Sequence, residues 1–561
     1  MPLRSLRPLL VPAVALAALA AGLSASCRKA ESPPSAAPPP PAAAPQAAAA
    51  AKADDGIPWF QGTVEEAFAL ARRERKPVFL YWGAVWCPPC HALRGRIFPR
   101  PEIRARLAAT VPVYLDGDTE RAQIWGEKLG TQGYPTVIVF DADGRELTRL
   151  PSLLPVDEYA DVLARALDAA RPIGEVLAAA RQKGLAALPP GELELLAFYS
   201  WDVDAARILA APERRALFHR FRSETPTDRP LEGSRFLALE LAAIADADPA
   251  PALAPAERAE LTAALTALLT DRARRNVNLD LLLYRAGDLV PRLAPTPGGE
   301  RAALAATWTV AARQAEDDPA LSLDDRLTAL LPQLELAALA APGAAGGAEP
   351  PAPPELRERV RDRIRRASAE VTDAGELQSL MDIMVGLLEQ AGLPDEGERL
   401  IAERLDQTEA PYYYVGYLAT LEAKRGRTSE AVTHYREAWQ QARRAAGGGG
   451  AAMTPFRWGS SYLRQAMKLT PDATTSIAAD SRTILGDLLG SPDAFSGGNW
   501  ARLQGLATAF DQWRAGAPAA RQGVVEAVRA QVAAACAGLP AEGPESAGGR
   551  CRSFGAPAAK S

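Results

Sequence analysis

Apolar and polar positions follow one pattern between residues 55 and 171 and another beyond them. In Thr63–Glu74, Val64, Ala67, Phe68 and Ala71 recur on one side of a helix, with charges elsewhere. Pro77–Trp82, Val111–Leu115 and Thr136–Phe140 are short apolar runs that read as buried strands. Pro88–Leu107 reads as a helix with Leu93, Ile97 and Ile103 on one face, and Val156–Ala170 as a closing helix. Asp141-Ala142-Asp143-Gly144 is a hairpin signal leading into Glu146–Leu150. Strands alternating with helices and followed by a hairpin predict an α/β layered unit over 55–171.

Residues 172–340 lose the strand pattern. Ala/Leu-rich amphipathic segments broken by Pro predict helices over Gly191–Tyr199, Ala205–Phe221, Leu231–Ala245, Ala256–Leu269, Val277–Leu289 and Arg301–Ala315. Residues 341–354 are a Gly/Ala/Pro linker, and 355–535 are again helical. That second part opens on an Arg-rich helix, Glu355–Glu370, whose charges read as a solvated face. It continues through helices at Phe456–Leu469, Ser476–Leu489 and Ala501–Ala535, before a flexible tail over 536–561. Gly392 and Gly426 each end one helix and precede another, 34 residues apart. Leu418, Ala419, Gly426, Ala431, Tyr435 and Ala438 match the small and large positions of a 34-residue helical repeat. The segment resembles tetratricopeptide repeats, although Val415, Glu422 and Arg443 depart from the pattern. Stacked helix pairs of this kind present a concave face suited to a protein ligand.

Composition changes the picture at the amino terminus. Arg4 and Arg7 precede an apolar run, Leu9–Leu23, that ends in Ser24-Ala25-Ser26-Cys27. Residues 1–27 therefore read as an export signal, short for a spanning helix. Cys27 after small residues resembles a bacterial lipoprotein cleavage site, with Ser24 where that pattern has Leu. Cys27 is the candidate lipidation residue; ordinary cleavage nearby and a retained anchor are the alternatives. Residues 28–54 are almost all Ala, Pro, Ser and Gln and read as a disordered tether. At about 150 residues per domain, the 561 residues suggest three or four domains. A formal charge of −5 gives no basic field, so no nucleic-acid partner is expected. Three scattered His and five Cys argue against a metal site and against a disulfide-built scaffold.

The candidate chemistry lies in Trp86-Cys87-Pro88-Pro89-Cys90, at a strand-to-helix junction. A spacing of three residues puts both sulfurs on one side of a first helical turn. Together with the preceding strand and the later Gly133-Tyr134-Pro135-Thr136, the motif resembles the thioredoxin superfamily, most closely its periplasmic thiol:disulfide interchange branches. The resemblance covers about a fifth of the chain. It implies that Cys87 is an exposed nucleophile with a depressed pKa and that Cys90 is the buried resolving thiol. It also implies a cis Pro135 that, with Tyr134, orients an extended substrate. Trp86, Tyr134 and Pro135 are the candidate substrate-binding residues; Trp82 and Trp86 also read as packing around the site.

Two positions depart from that family. The buried acid that assists the second Cys is replaced by Tyr81, a poor base, and a frequent Glu two residues before the first Cys is Val85. His91 is a possible substitute. In an exported protein Cys536 and Cys551 would pair as a structural disulfide. The chain is thus expected to be multidomain, an α/β thioredoxin-like domain followed by an all-α, helical-hairpin or tetratricopeptide-like region. The expected function is cofactor-free thiol–disulfide exchange on exported proteins in the cell envelope, with a redox partner and a lipid anchor in the membrane. The competing expectation is an interaction scaffold with a catalytically passive thioredoxin-like domain.

Overall fold

The computed structural model describes residues 55–151, 153–204, 207–341, 351–447, 453–540 and 543–555. The export signal with Cys27, the tether and most of the 341–354 linker lie outside the described residues. Among the described residues no helix is long and apolar enough to cross a membrane.

The first unit runs Val64–Glu74 (α1), Val78–Gly83 (β1), Pro88–Ala92 (α2), Pro101–Leu107 (α3), Val111–Asp116 (β2), Ala122–Leu129 (α4), Thr136–Phe140 (β3), Glu146–Leu150 (β4) and Val156–Leu167 (α5). The four strands form one sheet in the order β2-β1-β3-β4. β1 and β2 are parallel, pairing Val78 with Val111 and Gly83 with Asp116. β3 runs antiparallel to both β1 and β4. Successive side chains leave opposite faces of a strand, and here both faces are covered. Leu80, Trp82, Val113 and Ile138 pack with Val64, Ala67 and Ala122 on one side. Phe79, Tyr81, Val137 and Val139 pack with Leu93, Phe98, Ile103 and Leu163 on the other. Burial on both faces explains why these strands read as continuous apolar runs.

Local chemistry fixes the element ends. Thr63 and Glu66 form a capping box at α1: the Glu66 N–H donates to Thr63 Oγ1 (3.2 Å) and the Thr63 N–H to Glu66 Oε2 (2.8 Å). At the hairpin, Asp141 Oδ1 accepts from the N–H groups of Asp143 (2.9 Å) and Arg145 (2.8 Å). Gly144 there has φ +87°, where a side chain is disfavoured.

The structure corrects several sequence expectations. The helix expected over Pro88–Leu107 is broken: after α2 comes a wide π turn, Leu93–Ile97, and Pro101 starts α3 afresh. Ala205–Phe221 begins only at Ala211, and Ala501–Ala535 is two helices, Gly497–Gly516 and Pro518–Cys536. The tail expected to be flexible carries a helical turn, Ala547–Arg552, and Cys551 is bonded to Cys536. The Arg-rich helix, Pro354–Glu370, is not simply solvated. Its Arg359 and Arg363 reach the buried Glu316 (2.9 and 2.6 Å), and Arg361 reaches Glu396 (2.7 Å).

Residue 171 is not a structural break. The core under α5 continues into helices Ile173–Lys183, Pro190–Ala197 and Ala211–Glu224. The Ser200 N–H donates to the Arg149 carbonyl (3.1 Å), covering the edge of β4. Arg149, fully buried, is held by Glu146 (2.8 Å) and donates to the Val203 carbonyl (3.1 Å). Burial opposes ionisation of Glu146, but Arg149 and Arg207 outweigh it and hold the carboxyl below its usual range. Farther along, Ala374–Gln390 with Pro394–Arg404, and Pro411–Lys424 with Thr428–Ala445, form helical pairs. Gly392 (φ +76°) and Gly426 (φ +75°) both sit in the left-handed region between paired helices.

Candidate active site

β1 delivers the chain to the site. After Gly83, residues 84–86 lead to Cys87, which is the N-cap of α2. Its Sγ accepts the Cys90 N–H at 3.3 Å, and its carbonyl accepts the His91 N–H at 3.2 Å. Pro88 and Pro89 occupy first-turn positions that lack an intrahelical donor role, so the helix tolerates both. Cys87 and Cys90 are joined as a disulfide with a Cα–Cα distance of 5.2 Å. The Tyr134–Pro135 peptide is cis. Tyr134 stands edge-on to Trp86 (5.6 Å between ring centroids) and stacks on Trp82 (5.7 Å). Gly117 makes room for it: a Cβ there would lie 2.0 Å from the Tyr134 hydroxyl oxygen.

Tyr81, at the position of the missing acid, is buried and donates to the Cys90 carbonyl (3.4 Å). Burial drives its hydroxyl pKa far above the ordinary phenol value, so it stays protonated. Two carboxylates that the sequence reading missed lie at the end of β2. Asp116, opposite Gly83 in the β1–β2 register, is pushed up to about 7 by burial and by the neighbouring charge of Asp118. Asp118 accepts from Trp86 Nε1 (2.6 Å) and from the Thr454 hydroxyl. The available signal was Asp116-Gly117-Asp118 immediately after an apolar strand. His91 is also buried. Its Nε2 lies 2.5 Å from the Val85 carbonyl oxygen and 3.9 Å from Glu409 Oε2, and burial lowers its pKa despite that carboxylate.

One expectation fails outright. Cys87 was expected to be exposed, but it is 2% exposed and Cys90 1%. The helical region packs against the turn that carries them, helix Ala374–Gln390 lying on α2. Gln378, on Ala374–Gln390, donates from Nε2 to the Trp86 carbonyl (3.1 Å) and accepts the Ala410 N–H at Oε1 (3.2 Å). Tyr413 stacks on the Trp86 indole (6.1 Å, 14°), and Trp458 meets it edge-on (5.2 Å). The Arg457 guanidinium lies 4.3 Å from the centroid of the same ring. Further out, Arg96 pairs with Asp324 (2.7 Å), the Gly498 N–H donates to Gln123 Oε1 (2.8 Å), and Arg550 Nη1 donates to Glu127 (2.8 Å). The structure thus brings Cys87, Cys90, Trp86 and Tyr134 together, with the cis Pro135 beside Tyr134. Cys536 and Cys551 lie in a separate helical core. No cluster able to hold a metal occurs among the described residues.

Residues 64–167 match the family described as thioredoxin-like domain. Over 81 residues the chain is 35% identical to the thiol:disulfide interchange protein DsbD of Cronobacter sakazakii, covering 14% of this chain and 14% of that protein. Over 82 residues it is 35% identical to the same-named protein of Yersinia enterocolitica, again 14% of each. The chain therefore spans only 14% of the length of these curated relatives. Residues 64–167 are a thioredoxin-like domain that carries the Cys87-x-x-Cys90 pair, and a long helical region follows it.

Proposed function

We propose that this protein is a thiol–disulfide oxidoreductase that acts on exported proteins in the cell envelope through Cys87 and Cys90. The observation that carries the proposal is the Cys87–Cys90 disulfide across the first turn of α2, in a domain of thioredoxin-like type. In the reduced form the Cys90 N–H that now reaches Cys87 Sγ favours a thiolate there. That thiolate attacks one sulfur of a substrate disulfide; a Cys87–substrate bond forms and the substrate's other sulfur leaves. Cys90 then loses its proton and attacks Cys87, closing the disulfide and releasing the second substrate thiol, so two electrons have passed to the substrate. Asp116 is the group on this side of the sheet suited to exchanging a proton near neutrality, because Tyr81 is held protonated. Tyr134, Pro135 and Trp86 orient the substrate. A redox partner resets the disulfide, Cys27 anchors the chain by lipid, and the helical pairs bind a protein ligand.

The burial of both sulfurs is the observation that favours the second reading, an interaction scaffold with a passive thioredoxin-like domain. Equilibrating Cys87–Cys90 against dithiothreitol and glutathione, then assaying insulin disulfide reduction, separates the two. An exchanging enzyme has a potential above the roughly −300 mV of structural disulfides and turns over insulin once its sulfurs are exposed. A potential below that value with no turnover supports the scaffold.

A further inference from the structure

We propose that the helices from Ala374 onward are an autoinhibitory cap on the Cys87–Cys90 disulfide, closed in this structure, and that exchange requires them to swing away. The proposal rests on the oxidoreductase reading for its biological meaning but not for its test. Exchange needs an incoming sulfur to reach a disulfide sulfur, and neither Cys87 nor Cys90 has surface to offer. The cover is this chain's own: Gln378, Tyr413 and the Arg457–Trp458 pair come from three helices and converge on Trp86, the residue before Cys87. Thr454 takes Asp118 in the same way.

The composition of this contact favours opening. Beside the buried Ala410, Tyr412 and Ala442 it is built from aromatic faces, hydrogen bonds and arginine side chains, a more polar mix than a domain core and one found in contacts between domains that separate. Asp118 Oδ1 and Arg457 Nε are buried in it without a hydrogen-bond partner among the described residues. Both would regain water on opening. Gln378 satisfies a carbonyl of one unit and an N–H of the other, which makes it a latch rather than part of either core.

The test uses the full oxidised chain with dithiothreitol as probe. One dithiothreitol thiolate attacks the Cys87–Cys90 bond, and the displaced sulfur takes a proton. The second dithiothreitol thiol then closes the cyclic disulfide, so two electrons pass to the protein. Differential alkylation and mass spectrometry follow each cysteine. In the wild type, Cys87–Cys90 is expected to react at least tenfold more slowly than oxidised glutathione under the same conditions; an equal or faster rate overturns the proposal. In Gln378→Ala and in Tyr413→Ala/Arg457→Ala, that rate is expected to rise at least tenfold, while Cys536–Cys551, buried in its own helical core, keeps its wild-type rate. Variants that stay at the wild-type rate overturn the cap. Where a variant releases both disulfides together it has unfolded, and the wild-type comparison with glutathione decides. Opened variants that reduce quickly but turn over no protein disulfide leave the cap standing and defeat the oxidoreductase reading instead.

Discussion

The side-chain amide of Gln378 donates to the backbone carbonyl of Trp86, 292 residues earlier and one residue before Cys87. Its oxygen is used as well, by the Ala410 N–H, so the side chain is engaged at both its nitrogen and its oxygen. Removing it in Gln378→Ala leaves a buried carbonyl and a buried N–H without partners. Each such loss costs about 1–3 kcal/mol. The urea midpoint is expected to fall by an amount corresponding to at least ~1 kcal/mol, and an unchanged midpoint would show that the interface is not formed in solution.

Asp116 gives a pH dependence whose sign is fixed. Its folded pKa, about 7, lies above the ordinary value of 3.8. Between these values the folded state binds the proton more tightly than the unfolded chain does. Its contribution to stability is therefore present at low pH and is lost as pH rises towards 7. Asp116→Asn removes that dependence. The stability of the variant relative to wild type should rise from pH 4 to pH 7 and stay level above it, in denaturation series at each pH. A difference independent of pH would contradict the assignment.

Gly117 has the least room of the glycines around the site. In Gly117→Ala the new Cβ meets the Tyr134 hydroxyl at 2.0 Å and displaces the ring that Gln123 and Trp86 hold. Overpacking of this kind costs about 1–3 kcal/mol. The expected outcome is a lower melting temperature together with slower exchange at Cys87–Cys90. Loss of stability alone would remove Tyr134 from substrate orientation.

The Cys536–Cys551 disulfide closes a loop with a sequence separation of 15. A crosslink of this length contributes about 3 kcal/mol against unfolding. Cys536→Ser/Cys551→Ser should lower stability by about that amount and leave the Cys87–Cys90 potential unchanged. A shifted potential would mean that the two disulfides are coupled through the fold.

β1 and β3 were legible because they are buried on both faces and carry few polar residues, as Val78–Trp82 and Thr136–Phe140 show, whereas the polar β4 was legible from the turn before it. The motif was legible because Cys87, Cys90 and Pro135 carry strong local meaning. α4 was missed: it is only 8 residues long, and it starts after Arg121, whose φ of +65° has no sequence signature. The break after α2 was missed because a π turn of five residues widens the helical period over too short a span to disturb the apolar spacing. The buried state of Cys87 was not legible at all. Gln378, Tyr413 and Arg457 are ordinary helix residues in sequence, and only long-range packing brings them to Trp86. Asp116 likewise gains its raised pKa from a neighbour and from burial that the strand pattern alone does not reveal.

The most direct measurement is capture of the reaction intermediate. Reduced Cys90→Ala protein, alone and combined with Tyr413→Ala/Arg457→Ala, is incubated with insulin and the adducts are mapped by mass spectrometry. A mixed disulfide at Cys87, more abundant in the opened chain, is the expected result. No adduct at Cys87 in either form would contradict thiol–disulfide exchange at this site.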